Sequence, residues 1–268
     1  MKYVNVWRND DDNENENENE TNKLNELNKS NNYNQWVPFT DNHNNPIIIG
    51  RDQDNYEGVR ALVGGINNYL LFITYLKNNI SVFDLNTFQF IKHDTLPTDN
   101  NIWYHCFVSK LENGQVQEMM KANQKYKQNY QMLLFCWNTG LSIEYDGDNN
   151  IFKFRQLYVC KDIAPFYQYA YTYINDVILF FGGSNYTNIS KSVHKYLIQE
   201  NTWTTFQNSL SNPLNNCVAI LNEEDNNVHI IGGIDDEDTK VLTHMKTKVR
   251  AWGPLQLVMI CLFIIYLF

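Results

Sequence analysis

Four pairs of large side chains, each pair seven positions apart, constrain this chain more than any other feature. Phe83 and Phe90, Tyr145 and Phe152, Tyr196 and Trp203, and finally Met245 and Trp252 each follow an apolar run of strand type. The runs are Leu70 to Ile73, Met132 to Cys136, Val177 to Phe181 and Val228 to Ile231. Two of them end in a glycine pair, Gly182-Gly183 and Gly232-Gly233, with 232 − 182 = 50 residues between copies. A strand, a polar loop and a second strand carrying the first of two spaced aromatics read as a hairpin. Recurrence at that period signals a propeller or a solenoid.

The stretch from Val177 to Trp203, a hydrophobic run ending in Gly-Gly, then a Tyr, then a Trp after six intervening residues, resembles the kelch repeat. That resemblance implies an all-β fold, a kelch-type β-propeller in which each repeat is one four-stranded antiparallel blade. Four blades are recognisable, between about residues 57 and 252, where kelch propellers usually have six, so the ring is either incomplete or closed by other segments. Two repeats are degenerate, with Thr74-Tyr75 and Cys136-Trp137 in place of the glycine pair. The signature residues are therefore Gly182, Gly183, Tyr196, Trp203, Gly232, Gly233 and Trp252, with Phe83, Phe90, Tyr145 and Phe152 in the degenerate copies.

Domain organisation follows from composition. Residues 1–45 hold an Asn, Asp and Glu tract with almost nothing apolar before Trp36, too little to offset the entropy of ordering, so disorder is expected. Residues 46–253 form the propeller, with Pro46 to Gly50 as an isolated strand or part of ring closure. The interval from Phe83 to Tyr145, 145 − 83 = 62 residues, exceeds the later 51 and 49 because of a polar insertion from Glu112 to Asn129. Within it Met119 to Tyr126 reads as a short amphipathic helix. Residues 254–268 are an apolar tail. Leu255 to Phe268 has no charge and follows Lys246, Lys248 and Arg250, as in a membrane anchor. As a helix it reaches about 21 Å against a hydrocarbon core of about 30 Å, so a buried strand and a truncated or mis-spliced chain end are the competing readings.

The net charge of −9 argues against a nucleic-acid partner, which draws on clustered Lys and Arg, although much of it sits between Asp10 and Glu20. Five cysteines, far apart and odd in number, lack the spacing of a zinc site or disulfide framework and read as buried reduced thiols of a cytoplasmic protein. The N-terminus shows no secretory h-region.

Catalytic constellations are absent from the sequence: no P-loop, nucleophile elbow or dinucleotide fingerprint is present. Some kelch-like propellers carry copper held by Tyr and His, but His43, His93, His105, His194, His229 and His244 show no ligand spacing. Asp235 to Asp238 reads as a solvated turn rather than a calcium loop. The expectation is a protein-protein interaction scaffold or adaptor, not an enzyme, with no cofactor and no metal. Residues 1–45 are too short and polar to be the fused domain of a kelch adaptor. A membrane-tethered propeller and a galactose-oxidase-like copper enzyme are the alternatives.

Overall fold

Apolar runs without alternation require a strand covered on both faces, and that requirement explains the architecture. The computed structural model describes residues 2–4, 35–65, 68–110, 129–207, 209–241 and 244–249. The chain divides into two units, Met1–Gln53 and Asp54–Phe268. In the first, β1 (Lys2–Val4) pairs antiparallel with β2 (Gln35–Val37), so part of the stretch expected to lack structure carries a strand. Pro46 to Gly50 is not a strand. Only Pro46 makes a bridge, to Thr40, around a turn held by the Asp41 carboxylate, which accepts from the backbone N–H groups of His43 and Asn45. The Asn45 side-chain amide donates to the same carboxylate at 3.0 Å, and that bond first, then the backbone ones, favours the ionised form and lowers its pKa.

The second unit is all-β. Its first blade is the meander β3 (Arg60–Gly64), β4 (Leu70–Tyr75), β5 (Asn79–Asp84) and β6 (Gln89–Thr95). The second is β7 (Cys106–Ser109), β8 (Asn129–Cys136), β9 (Thr139–Asp146) and β10 (Ile151–Gln156). The third is β11 (Ala170–Ile174), β12 (Val177–Phe181), β13 (Val193–Leu197) and β14 (Thr202–Phe206). Three strands of the fourth are described, β15 (Val218–Asn222), β16 (Asn227–Ile231) and β17 (His244–Lys248). Trp252, the tail from Leu255 and the predicted Met119 to Tyr126 helix lie outside the described residues. The outer strand of the first blade runs to Thr95, four residues beyond the expected end at Ile91.

The four sheets stand propeller-like, with an apolar core between each successive pair. Leu70, Phe72, Ile80 and Val82 meet Phe107, Met132, Leu134, Ile143 and Tyr145 in the first core. Leu133 and Phe135 point the other way, toward Tyr169, Ile178, Phe180 and Tyr196. Leu179, Phe181 and Val193 then meet Cys217, Val228 and Ile230. Successive residues of β8 and of β12 thus serve different cores, because side chains alternate across a strand. Cys106, Cys136 and Cys217 are buried free thiols, and burial pushes Cys136 up to about 12.

The seven-residue spacing has a direct cause. Phe83 faces Phe90, Tyr145 faces Phe152 and Tyr196 faces Trp203 across the last hairpin of each blade. In the second and third blades the Tyr hydroxyl also donates to an Asn five residues on. Tyr145 reaches Asn150 and Tyr196 reaches Asn201, both at 2.6 Å. Both asparagines are left-handed, with φ of 55° and 53°, a conformation Asn tolerates and in which its side chain is free to close the turn.

The glycine pairs end β12 and β16 in left-handed backbone, Gly182 at φ 65° and Gly232 at φ 68°. A Cβ on Gly182 would sit 2.1 Å from the Leu214 carbonyl oxygen at the start of the next blade, whereas one on Gly232 would meet nothing within 4 Å. Gly182 is therefore required twice, by conformation and by contact.

Two histidines are sealed inside. Thr74 Oγ1 lies 2.6 Å from His105 Nε2, and His194 Nδ1 lies 3.1 Å from Thr205 Oγ1. Burial holds both neutral, pushing His194 down to about 4 and His105 well below its ordinary value.

Three outcomes follow. Tyr196→Ala should lower stability by about 3 to 5 kcal/mol and Tyr196→Phe by only about 1, read from urea midpoints; equal midpoints for parent and Ala variant would refute the core assignment. Gly232→Ala should cost about 1 to 2 kcal/mol for its conformation alone, and Gly182→Ala distinctly more. Since the unfolded chain takes up protons at pH 6.5 while folded His194 does not, stability is complete above that pH and falls down to about pH 4. His194 contributes a loss of roughly 1 kcal/mol per pH unit, and His194→Gln should flatten the slope in denaturation series at stepped pH.

Candidate functional site

The starts of β7 and β11 and the turns after β8 and β12 lie at one end of their sheets, because these strands pair antiparallel from Cys106 with Phe135 and from Ala170 with Phe181. Four aromatic residues from these connections meet there. Tyr167 stacks on Trp103 with centroids 5.7 Å apart and planes at 2°, and on Trp137 at 4.4 Å and 17°. Tyr186 completes the row, 5.3 Å from Trp137. Tyr167 is buried in the middle, whereas Tyr186 is 84% exposed. Burial, then the neighbouring Tyr186, raises the Tyr167 pKa, so its hydroxyl is un-ionised at neutral pH.

The backbone under this row is held in unusual conformations. Tyr104 (φ 45°), Trp137 (φ 54°) and Gln168 (φ 57°) are all left-handed, which is costly for bulky side chains and concentrates at functional sites. Trp137 occupies the position that Gly182 and Gly232 hold in their blades, directly after the second strand. A glycine slot thus carries the largest side chain available, kept in the glycine conformation. Polar groups flank the row: Asn100 Nδ2 donates to Asn138 Oδ1 and to Thr139 Oγ1 (2.8 Å), and the Thr139 hydroxyl lies 2.7 Å from that of Thr98. On the other side Tyr186 borders a groove of about 380 Å³ between the β12–β13 and β16–β17 loops, lined by Asn185, Asn188, Asn215, Asp235, Asp236 and Asp238.

The repeat-signature residues lie elsewhere. Phe83, Phe90, Tyr145, Phe152, Tyr196 and Trp203 belong to the blade interiors and hairpins, and Gly182, Gly183, Gly232 and Gly233 shape the loops around the groove. None of the row's members was singled out as a site from sequence. The one available signal was Trp137, an aromatic where the repeat calls for glycine.

The histidines are not as separate as their spacing suggested. His229 on β16 and His244 on β17, fifteen residues apart, are brought together, with Nδ1 of the first 2.7 Å from Nε2 of the second. Spacing rules built for one helix or one loop miss a cross-strand pair. The rings are nearly coplanar, at 16° with centroids 5.0 Å apart. That aims the two nitrogens at each other, as in an N–H···N bond, rather than at a common third point as metal ligation requires. Among the described residues no three His, Cys, Asp or Glu side chains are grouped to hold a metal. No described helix is long and apolar enough to cross a membrane.

No protein-family model and no curated protein matches the chain. Among solved structures it is similar to one titled "Structure of YjhT", at 15% identity and a TM-score of 0.34, over 43% of this chain and 36% of that one. The match thus spans about a third of that protein's length.

Proposed function

We propose that this chain is a non-catalytic protein-binding scaffold of the kelch type, whose partner docks on the row Trp103, Tyr167, Trp137 and Tyr186. The row itself carries the reading. Trp and Tyr are enriched where protein partners meet, since they supply large rigid contact area at little entropic cost and keep a polar tip. Exposed Tyr186 at one end, with a polar rim on both sides, matches the anatomy of an apolar interface centre. Strained turns that hold aromatic side chains in place before a ligand arrives reduce the ordering cost of binding. The kelch assignment is supported by the structural work its signature performs: the glycine pair frees the loops, and the Tyr with its turn Asn and Trp closes the blade. Buried unpaired thiols suit a cytoplasmic location.

The test is affinity capture with the full chain as bait, the metal content of the same sample being measured alongside. A reproducible protein partner should be retained by the parent and weakened about thirtyfold by Tyr186→Ala, the loss expected for a hot-spot aromatic, with no change in denaturation midpoint because Tyr186 is exposed. Trp137→Ala should act in the same direction. Stoichiometric copper with no captured partner would overturn the reading.

A further inference from the structure

Between the second and third blades lies a cleft of about 450 Å³, lined among others by Lys110, Glu144, Lys153, Arg155, Tyr196 and Asn201. Three cations against one carboxylate make it locally basic in a chain of net charge −9. Only Lys153 has a described ion partner, Glu144 at 3.3 Å, and that pair is exposed and therefore weak. Among the described residues no carboxylate pairs with Lys110 or Arg155.

The cations are ordered by the sheet. Cross-strand register places Gln131, Glu144 and Lys153 in one row and Leu133, Ser142 and Arg155 in the next. Lys153 and Arg155, two residues apart on β10, therefore project from the same face. β10 is also the last strand of its sheet, so one backbone edge has no strand beside it among the described residues. An incoming extended segment pairing along that edge continues both rows, and its side chains fall opposite Lys153 and Arg155 at every second position.

From this geometry we infer that the cleft beside β10 binds an extended acidic segment of a protein partner, one with carboxylates at alternate residues. The inference rests on the scaffold reading and adds to it the chemistry of a second contact, at the end of the blades opposite the aromatic row. Backbone pairing supplies the affinity, and Lys110, Lys153 and Arg155 set register and charge preference. Leu133, Tyr196 and Ile198 form the apolar floor.

The experiment is fluorescence anisotropy with the full chain and a labelled, acetylated and amidated peptide alternating glutamate and threonine. Binding should be saturable and weakened by salt. It should fall about tenfold for a peptide of identical composition with its glutamates in one block, and about as much for Lys153→Glu combined with Arg155→Glu. Both side chains are exposed, so the fold should be retained; Arg155→Gln, which keeps a polar side chain, should show a smaller loss and guards against misfolding of the charge reversal. Absence of saturable binding, equal affinity for both peptides, or equal affinity for parent and charge-reversed protein would overturn the cleft. So would equally tight binding of a single-stranded DNA oligonucleotide, which would mark plain anion attraction. If partner capture remains sensitive to Tyr186→Ala while the peptide fails, the scaffold stands and this contact falls; if capture itself fails, the scaffold reading is lost first.

Discussion

Face-to-face packing of successive sheets is the interaction on which the rest of this protein depends. Phe135 shows how it works. It reaches from the second blade to meet Phe180, Tyr196 and Trp203 of the third, with ring centroids 5.8, 4.8 and 5.3 Å away and planes nearly perpendicular or steeply inclined. Edge-to-face contacts of this kind add to the burial of large rings and fix their relative orientation. A single blade has no such partner and exposes both faces of its central strands. Blade order, loop position and site geometry therefore all follow from the stacking.

That dependence explains the two kinds of glycine slot. Where a loop must pass close to the next blade, as Gly182 passes the Leu214 carbonyl, no side chain is tolerated. Where the turn is short, the same left-handed conformation carries Trp137, whose side chain packs on Tyr167 and Tyr186. A substitution that looks like decay of the repeat thereby places a large aromatic side chain at the loop end of the propeller. The degenerate blade supplies part of the surface that the intact blades frame.

The proposed contacts differ in physics. Stacked rings on strained turns at one end provide a rigid, partly apolar surface, whereas the cleft at the other end provides charge and an open strand edge. Rigid aromatic anchors contribute mainly affinity, and ordered charges contribute mainly orientation and association rate. The overall charge of −9 conceals the second surface, because the stretch from Asp10 to Glu20 carries seven acidic residues and no Lys or Arg, while Lys110, Lys153 and Arg155 are dispersed in sequence.

What was legible in the residues was everything that repeats over short distances. The strand runs, the glycine pairs, the seven-residue aromatic spacing and the Asn-rich turns all concern contacts within one hairpin, where the alternation of side chains and the allowed backbone angles leave few solutions. Fold class followed, whereas the extent of single strands did not where tertiary context prevailed: β6 runs past Ile91 to Thr95, and Pro46 to Gly50 forms no strand. Only the tertiary structure decided the sites. Trp103 and Tyr186 are 186 − 103 = 83 residues apart, and Lys110 and Arg155 are 155 − 110 = 45. His229 and His244 meet only because two strands pair in one register out of several conceivable. No local period encodes such meetings, since they arise from how whole sheets pack, and packing is set by the summed burial of many side chains rather than by the spacing of any few.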